Sequence, residues 1–129
     1  MTTETLSIDE YRELLKTQAN TRGNERTVID GYTFDSRAEA ARYSELKLMA
    51  QAGVISNLRV HPTYELQAAF KDGAGGKHRA ISYEGDFGYI EDGRAVVEDV
   101  KGHRTAVFLL KEKMFRYTHP YIDFRVIEV

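Results

Sequence analysis

Asp99 and Lys101 stand two residues apart in the run VVEDVKG, Val96 to Gly102. The run reads as a strand. Side chains on a strand alternate between faces, so Val97, Asp99 and Lys101 point one way and Val96, Glu98 and Val100 the other. Upstream, Arg79 to Glu91 reads as a second strand, with Ser82, Glu84, Asp86 and Gly88 on one face and Tyr83, Phe87 and Tyr89 on the other. The short turn Glu91-Asp92-Gly93 makes the two strands antiparallel neighbours and sets Asp86 across from the Asp99 to Lys101 region. Two carboxylates on adjacent strands repel each other unless something neutralises them. A hard cation such as Mg²⁺ does so, and prefers a few carboxylate oxygens together with water and substrate phosphate. A lysine beside them can hold a phosphate oxygen or orient an attacking water.

The charge distribution agrees with that chemistry better than the total does. The formal net charge is -2 over 129 residues, which by itself argues against nucleic acid. Yet Glu84 to Asp99 carries six acidic residues against Arg94, and Lys101 to Arg116 carries five basic residues against Glu112. An acidic block abuts a basic one, as a metal site beside a phosphate-binding surface would; two solvated faces that neutralise each other would look the same. Hydrophobic residues make up 42% of the chain and charged residues 29%, within the range of one globular domain with one modest core. There is no cysteine, so disulfides, thiolate zinc sites and cysteine nucleophiles are excluded, and a cytoplasmic location is expected. No apolar run is long enough to span a bilayer, the N-terminus carries no signal-peptide pattern, and no membrane association is expected.

The elements that must position these residues are read from period and punctuation. Ser7 to Ala19 predicts a short helix with Ile8, Tyr11, Leu14 and Leu15 as its apolar stripe, and Asn20 to Gly31 a polar linker or mobile arm. Residues 1–30 are therefore expected to be an appendage, and 31–129 the functional domain. Ser36 to Ala52 predicts a helix capped by Asp35 or Ser36, with Glu39 completing a capping box and Gly53 ending it. Asn57 to Gln67 predicts a strand in which Pro62 marks an edge or a bulge. KDGAGGK, Lys71 to Lys77, predicts a hairpin loop and lacks the spacing of a P-loop. Thr105 to Thr118 predicts a helix with Val107, Phe108, Leu110, Met114, Phe115 and Tyr117 as its buried arc, and Tyr121 to Val129 a closing strand. The expected fold is α/β: a three-stranded antiparallel meander joined through a helix to a last, parallel strand, giving a mixed sheet of about four strands flanked by helices in the order αβββαβ.

An aspartate within GDFGY followed by Asp99-Val100-Lys101 on the next strand resembles the PD-(D/E)xK nuclease superfamily, with its restriction-endonuclease-like core. Gly85 stands where the superfamily's name has proline. The run FDSRAEAARYSELKLMAQAGVISNLRVHPTYEL, Phe34 to Leu66, is similar in layout to an uncharacterised phage and prophage nuclease family within it, and the resemblance extends from about Gly31 to the C-terminus. It implies a metal-dependent endonuclease acting on DNA, duplex or branched, with a Holliday-junction resolvase as one form and a homodimer as one assembly. A phage-encoded enzyme would work in the bacterial host cytoplasm. The resemblance further implies that Glu39, Asp86, Asp99 and the backbone carbonyl of Val100 hold Mg²⁺, with Mn²⁺ as the alternative. Lys101 would position water or phosphate, and cleavage would leave a 5′ phosphate. A ribonuclease, and a non-catalytic nucleic-acid-binding or phage assembly module on the same fold, are the alternatives.

Each residue also has a plainer reading. Glu39 serves Ser36 as a capping-box acid, yet it lies in the core-facing arc of its helix, where glutamate is unusual. Asp99 and Lys101 could be a simple salt bridge. Lys111 sits within the buried arc of the second helix, either snorkelling or reaching a phosphate as a further catalytic residue. Glu98 faces away from Asp99. His61, His78, His103 and His119 lack zinc-ligand spacing. Lys77, Arg79, His103 and Arg104 are expected to meet nucleic-acid phosphates.

Overall fold

The computed structural model describes residues 26–129. The expected helix Ser7 to Ala19 and most of the expected arm lie outside the described residues. The arm's last residues are not a linker. β1 (Thr27–Ile29) and β2 (Tyr32–Phe34) form an antiparallel hairpin around Asp30 and Gly31, whose φ angles of 52° and 82° are both left-handed. That is the geometry an Asp-Gly turn favours between twisted strands. The Asp30 carboxylate accepts a hydrogen bond from the Tyr43 hydroxyl at 2.8 Å and pairs with Lys47. The hairpin is thereby tied to the helix that follows.

That helix, α1 (Arg37–Gln51), starts where expected. The Ser36 hydroxyl accepts from the Glu39 backbone N–H at 3.1 Å, and Gly53 continues the chain at φ +76°. Its inward face is Glu39, Ala40, Tyr43 and Leu46. Next come β3 (Ser56–Val60), β4 (Thr63–Gln67), β5 (Phe70–Lys71), β6 (Lys77–His78), β7 (Ile81–Glu84), β8 (Phe87–Glu91) and β9 (Arg94–Lys101). The chain ends in α2 (Ala106–Thr118) and β10 (Asp123–Glu128). The main sheet has four strands in the order β10-β9-β8-β3, with β10 parallel to β9 and the other pairs antiparallel. The mixed four-stranded sheet flanked by helices is as expected. So is the hairpin loop at KDGAGGK, closed by the Asp72 N–H to Gly76 carbonyl bond. No helix among the described residues is long and apolar enough to cross a membrane.

β9 is covered on both sides, and adjacent valines show it. Val96 packs with Phe34, Tyr43, Leu46, Phe87 and Tyr89 on the α1 side. Val97 packs with Leu66, Tyr83, Phe108, Phe115 and Phe124 on the α2 side. Strand alternation then sends Glu98 towards α1 and Asp99 towards α2. The buried arc of α2 is narrower than expected: Val107, Phe108 and Phe115 are buried, while Leu110 is 42% and Tyr117 86% exposed. Both lie off the stripe that Phe108 and Phe115 direct inward at 100° per residue.

The two strands expected as Asn57 to Gln67 and Arg79 to Glu91 are each broken in the middle. β3 and β8 lie in the main sheet, whereas β4 and β7 pair separately. The breaks face each other. His61 N–H donates to the Asp86 carbonyl at 2.9 Å, and Gly85 N–H donates to the Pro62 carbonyl at 2.9 Å. Pro62 has no N–H to continue a ladder, and His61 adopts φ 54°. The expected face assignment fails for this reason. Tyr83 joins the α2-side core while Phe87 and Tyr89 join the α1-side core, because the bend at Gly85-Asp86 interrupts the alternation. It also explains the glycine. A Cβ at Gly85 would lie 3.0 Å from Val97 Cγ1, and a proline there would lose the bond to Pro62. Gly85→Ala is expected to cost about 1–3 kcal/mol and Gly85→Pro more, as read by urea denaturation.

Candidate metal and catalytic site

Asp86 sits in the bend, and its backbone is pinned from two sides. Its N–H donates to the Glu98 carbonyl at 3.0 Å, and its carbonyl accepts from His61. Its side chain continues the ladder that the main chain abandons: Oδ2 accepts from the Val100 N–H at 2.6 Å. A carboxylate oxygen of Glu39 lies within 4.8 Å of one of Asp86. Burial, then the hydrogen bond and charge of Glu39, push the Asp86 carboxyl up to about 8, against the opposing pull of Val100 N–H and Lys101. Asp86 is therefore biased towards its protonated form at neutral pH.

Glu39 reaches this point from the first turn of α1. Its Oε2 accepts from the Asp35 backbone N–H at 3.0 Å, while Oε1 lies 3.4 Å from His61 Nε2. Glu39 thus accepts from Asp35, one residue before the cap, and not from the Ser36 N–H that a capping box uses. His61 comes from the facing bend, its ring centroid 5.9 Å from that of Phe34. One ligand atom from each of Glu39, His61 and Asp86 lies within 4.8 Å of the other two.

On the other side of Asp86, the buried Asp99 accepts a short hydrogen bond from the Tyr83 hydroxyl. Lys101 Nζ lies 3.0 Å from Asp99 Oδ1, an ion contact without hydrogen-bond alignment. Burial and the charge of Asp86 push Asp99 up to about 6, opposed by Lys101 and Tyr83. The Lys101 ammonium is 4.8 Å from the centroid of the Phe108 ring. Its side chain keeps 25% exposure, so the cation is held but open to solvent.

Glu98 faces the other way, as expected, and is fully buried. Arg42 grips it with two bonds of 2.7 Å, and the Tyr89 hydroxyl donates a short third. Arg42 follows Glu39 by nearly one helical turn. This pair therefore fixes how α1 sits on β9 and where Glu39 points.

Of the residues singled out in the sequence, Glu39 and Asp86 meet directly, with Asp99, Val100 and Lys101 beside them. The Val100 carbonyl lies on the same edge of β9 as its N–H, the edge towards Asp86. Lys111 is half-buried on the inward arc of α2 and has no ion pair or hydrogen bond among the described residues. Lys77 lies on the exposed β5–β6 hairpin and Arg79 just after it. His103 is exposed in the loop after β9, and Arg104 pairs with Glu128 at 2.8 Å. His61 is the residue that spacing arguments passed over. Its signal was the His-Pro break opposite the Gly-Asp break, not any histidine motif.

Residues 20–128 match a family model described as a protein of unknown function, DUF1064. The chain belongs to the DUF1064 family. No curated protein and no solved structure matches it. In this member of the DUF1064 family, the donor set suits a divalent cation. Two carboxylates and an imidazole converge there, and a cation would offset the repulsion between the carboxylates.

The raised carboxyls make the stability of the metal-free protein depend on pH. Asp86 at about 8 and Asp99 at about 6 both lie above their ordinary 3.8. Between those values the folded chain binds protons that the unfolded chain has released, so stability falls as pH rises. The fall runs from about pH 4 to 6 for both groups and on to about 8 for Asp86. Thermal melts in EDTA should show the midpoint dropping across this window.

Proposed function

We propose that this protein is a metal-dependent endonuclease with a restriction-endonuclease-like core, acting on DNA. One observation carries the reading: a half-buried Asp86 with a ligand atom within 4.8 Å of one from Glu39 and one from His61, adjoining an Asp99–Lys101 pair whose lysine is partly exposed. Glu39 and Asp86 would hold Mg²⁺ or Mn²⁺. A bound cation supplies charge neutralisation at the phosphodiester and acidifies water at neutral pH.

The chain's own residues supply the rest. Asp99 holds the Lys101 ammonium in place, beside the Phe108 ring. An ammonium fixed beside the carboxylates can bind a non-bridging phosphate oxygen or orient the attacking water. Tyr83 holds the Asp99 carboxylate from behind, so the lysine's position is set by a buried group. Lys77, Arg79 and His103 offer exposed contacts for backbone phosphates on either side. Binding through so few cations should weaken only modestly with salt, since the slope scales with the number of phosphates neutralised.

The test is a cleavage assay of the purified full chain on branched, duplex and single-stranded DNA and on RNA, with Mg²⁺, Mn²⁺ or EDTA. DNA cleavage that EDTA abolishes is the expected result. Cleavage confined to RNA would make the protein a ribonuclease. Binding without any cleavage would make it a non-catalytic nucleic-acid-binding module.

A further inference from the structure

We propose that His61 is a direct metal ligand, and that it makes the site take a first-row transition ion such as Mn²⁺ in preference to Mg²⁺; this rests on the metal-dependent reading of the same site. His61 Nε2 lies 3.4 Å from Glu39 Oε1. Neighbouring ligands of an octahedral ion bound at 2.0–2.1 Å are about 3 Å apart, so the two atoms stand at nearly the separation of two such ligands. Asp86 completes the group within 4.8 Å.

The ring is not placed there by helix or strand regularity. Its residue is turned by φ 54° at the break, and its N–H is bonded to the Asp86 carbonyl. The same two segments that deliver the carboxylate thus deliver the imidazole. Its side chain remains 32% exposed, which leaves room for water or phosphate on the open side. A site of carboxylates and water alone suits Mg²⁺. Imidazole is a softer donor that Mg²⁺ takes poorly and transition ions take well.

The experiment measures Mn²⁺ binding to the full chain by the EPR signal of the free ion, with Mg²⁺ as competitor and no nucleic acid present. The variant is His61→Asn, because asparagine tolerates the left-handed backbone and offers only a hard oxygen donor. Wild-type protein should bind Mn²⁺ at least about 10-fold more tightly than Mg²⁺. In the variant, Mn²⁺ affinity should fall about 10- to 100-fold and Mg²⁺ affinity much less, so the preference collapses. Pulsed EPR on the wild-type Mn²⁺ complex supplies a check that needs no variant: a directly coordinated imidazole nitrogen should modulate the echo. An unchanged Mn²⁺/Mg²⁺ ratio, or no nitrogen modulation, overturns the role of His61. Absence of Mn²⁺ binding to the wild type overturns this proposal and the metal-dependent reading together. Mn²⁺ binding through nitrogen in a protein that cuts nothing would refute the nuclease alone.

Discussion

Asp86→Asn should lower DNA cleavage by at least about 10³-fold, since a cation's stabilisation of the transition state is worth several kcal/mol and each 1.36 kcal/mol is tenfold. The fold should survive the change. Burial and the neighbouring Glu39 already bias Asp86 towards its neutral form, and its Oδ2 accepts from Val100 N–H. An asparagine can place its oxygen on Val100 N–H and its amide NH₂ on Glu39. It would also remove the alkaline loss of stability, so the variant should melt higher than wild type near pH 8 in EDTA while failing to bind Mn²⁺. Lys101→Met gives the contrast. It keeps an unbranched side chain but removes the ammonium beside Phe108, and should cost about 10²–10³ in kcat with Mn²⁺ affinity nearly unchanged. A Lys101→Met variant with full activity would remove lysine from the mechanism. An active Asp86→Asn variant would remove the metal site.

Arg42→Met should be the most destabilising single change outside the apolar core, at about 3–5 kcal/mol. Glu98 is fully buried and Arg42 about one-fifth exposed. Taking away the guanidinium leaves a carboxylate in the interior with only the Tyr89 hydroxyl. For a domain of this size the melting temperature should fall by at least about 12 °C. The double variant Arg42→Met/Glu98→Leu should recover most of the loss, because a buried pair replaced by apolar groups no longer leaves a charge unpaired. Denaturant melts of the two single variants and the double variant measure this coupling directly. Additive losses would mean that the two side chains do not act as a pair. The double variant also separates stability from positioning. If Arg42 and Glu98 hold α1 in register over β9, restored stability should come with metal affinity still below wild type, since Glu39 projects from the same helix.

Much of this architecture was legible because it follows from local physics. The ends of α1 follow from the Ser36 hydroxyl on Glu39 N–H and from glycine just after the last turn. The β8–β9 hairpin follows from Asp92-Gly93, whose φ angles of 51° and 74° suit such a turn. Alternation along β9 separated Glu98 from Asp99 and placed Asp99 with Lys101, and the structure keeps that division. The same Asp-Gly signal stands in VIDGYTF, and it marks the β1–β2 hairpin that a polar composition disguised as linker. What the sequence could not determine is what happens where two distant breaks meet. A period of two runs unbroken through Tyr83, Phe87 and Tyr89. Only the bonds from Gly85 to Pro62 and from His61 to Asp86, made across the paired strands, show that the chain bends there. The bend sends Tyr83 to one core and Phe87 to the other, and it brings His61 to Glu39. Arg42 and Glu98 are likewise 56 residues apart. Local preference decides elements and turns over a few residues. Which carboxylate receives an arginine, and which an imidazole, depends on where the burial of both sheet faces brings remote segments into contact.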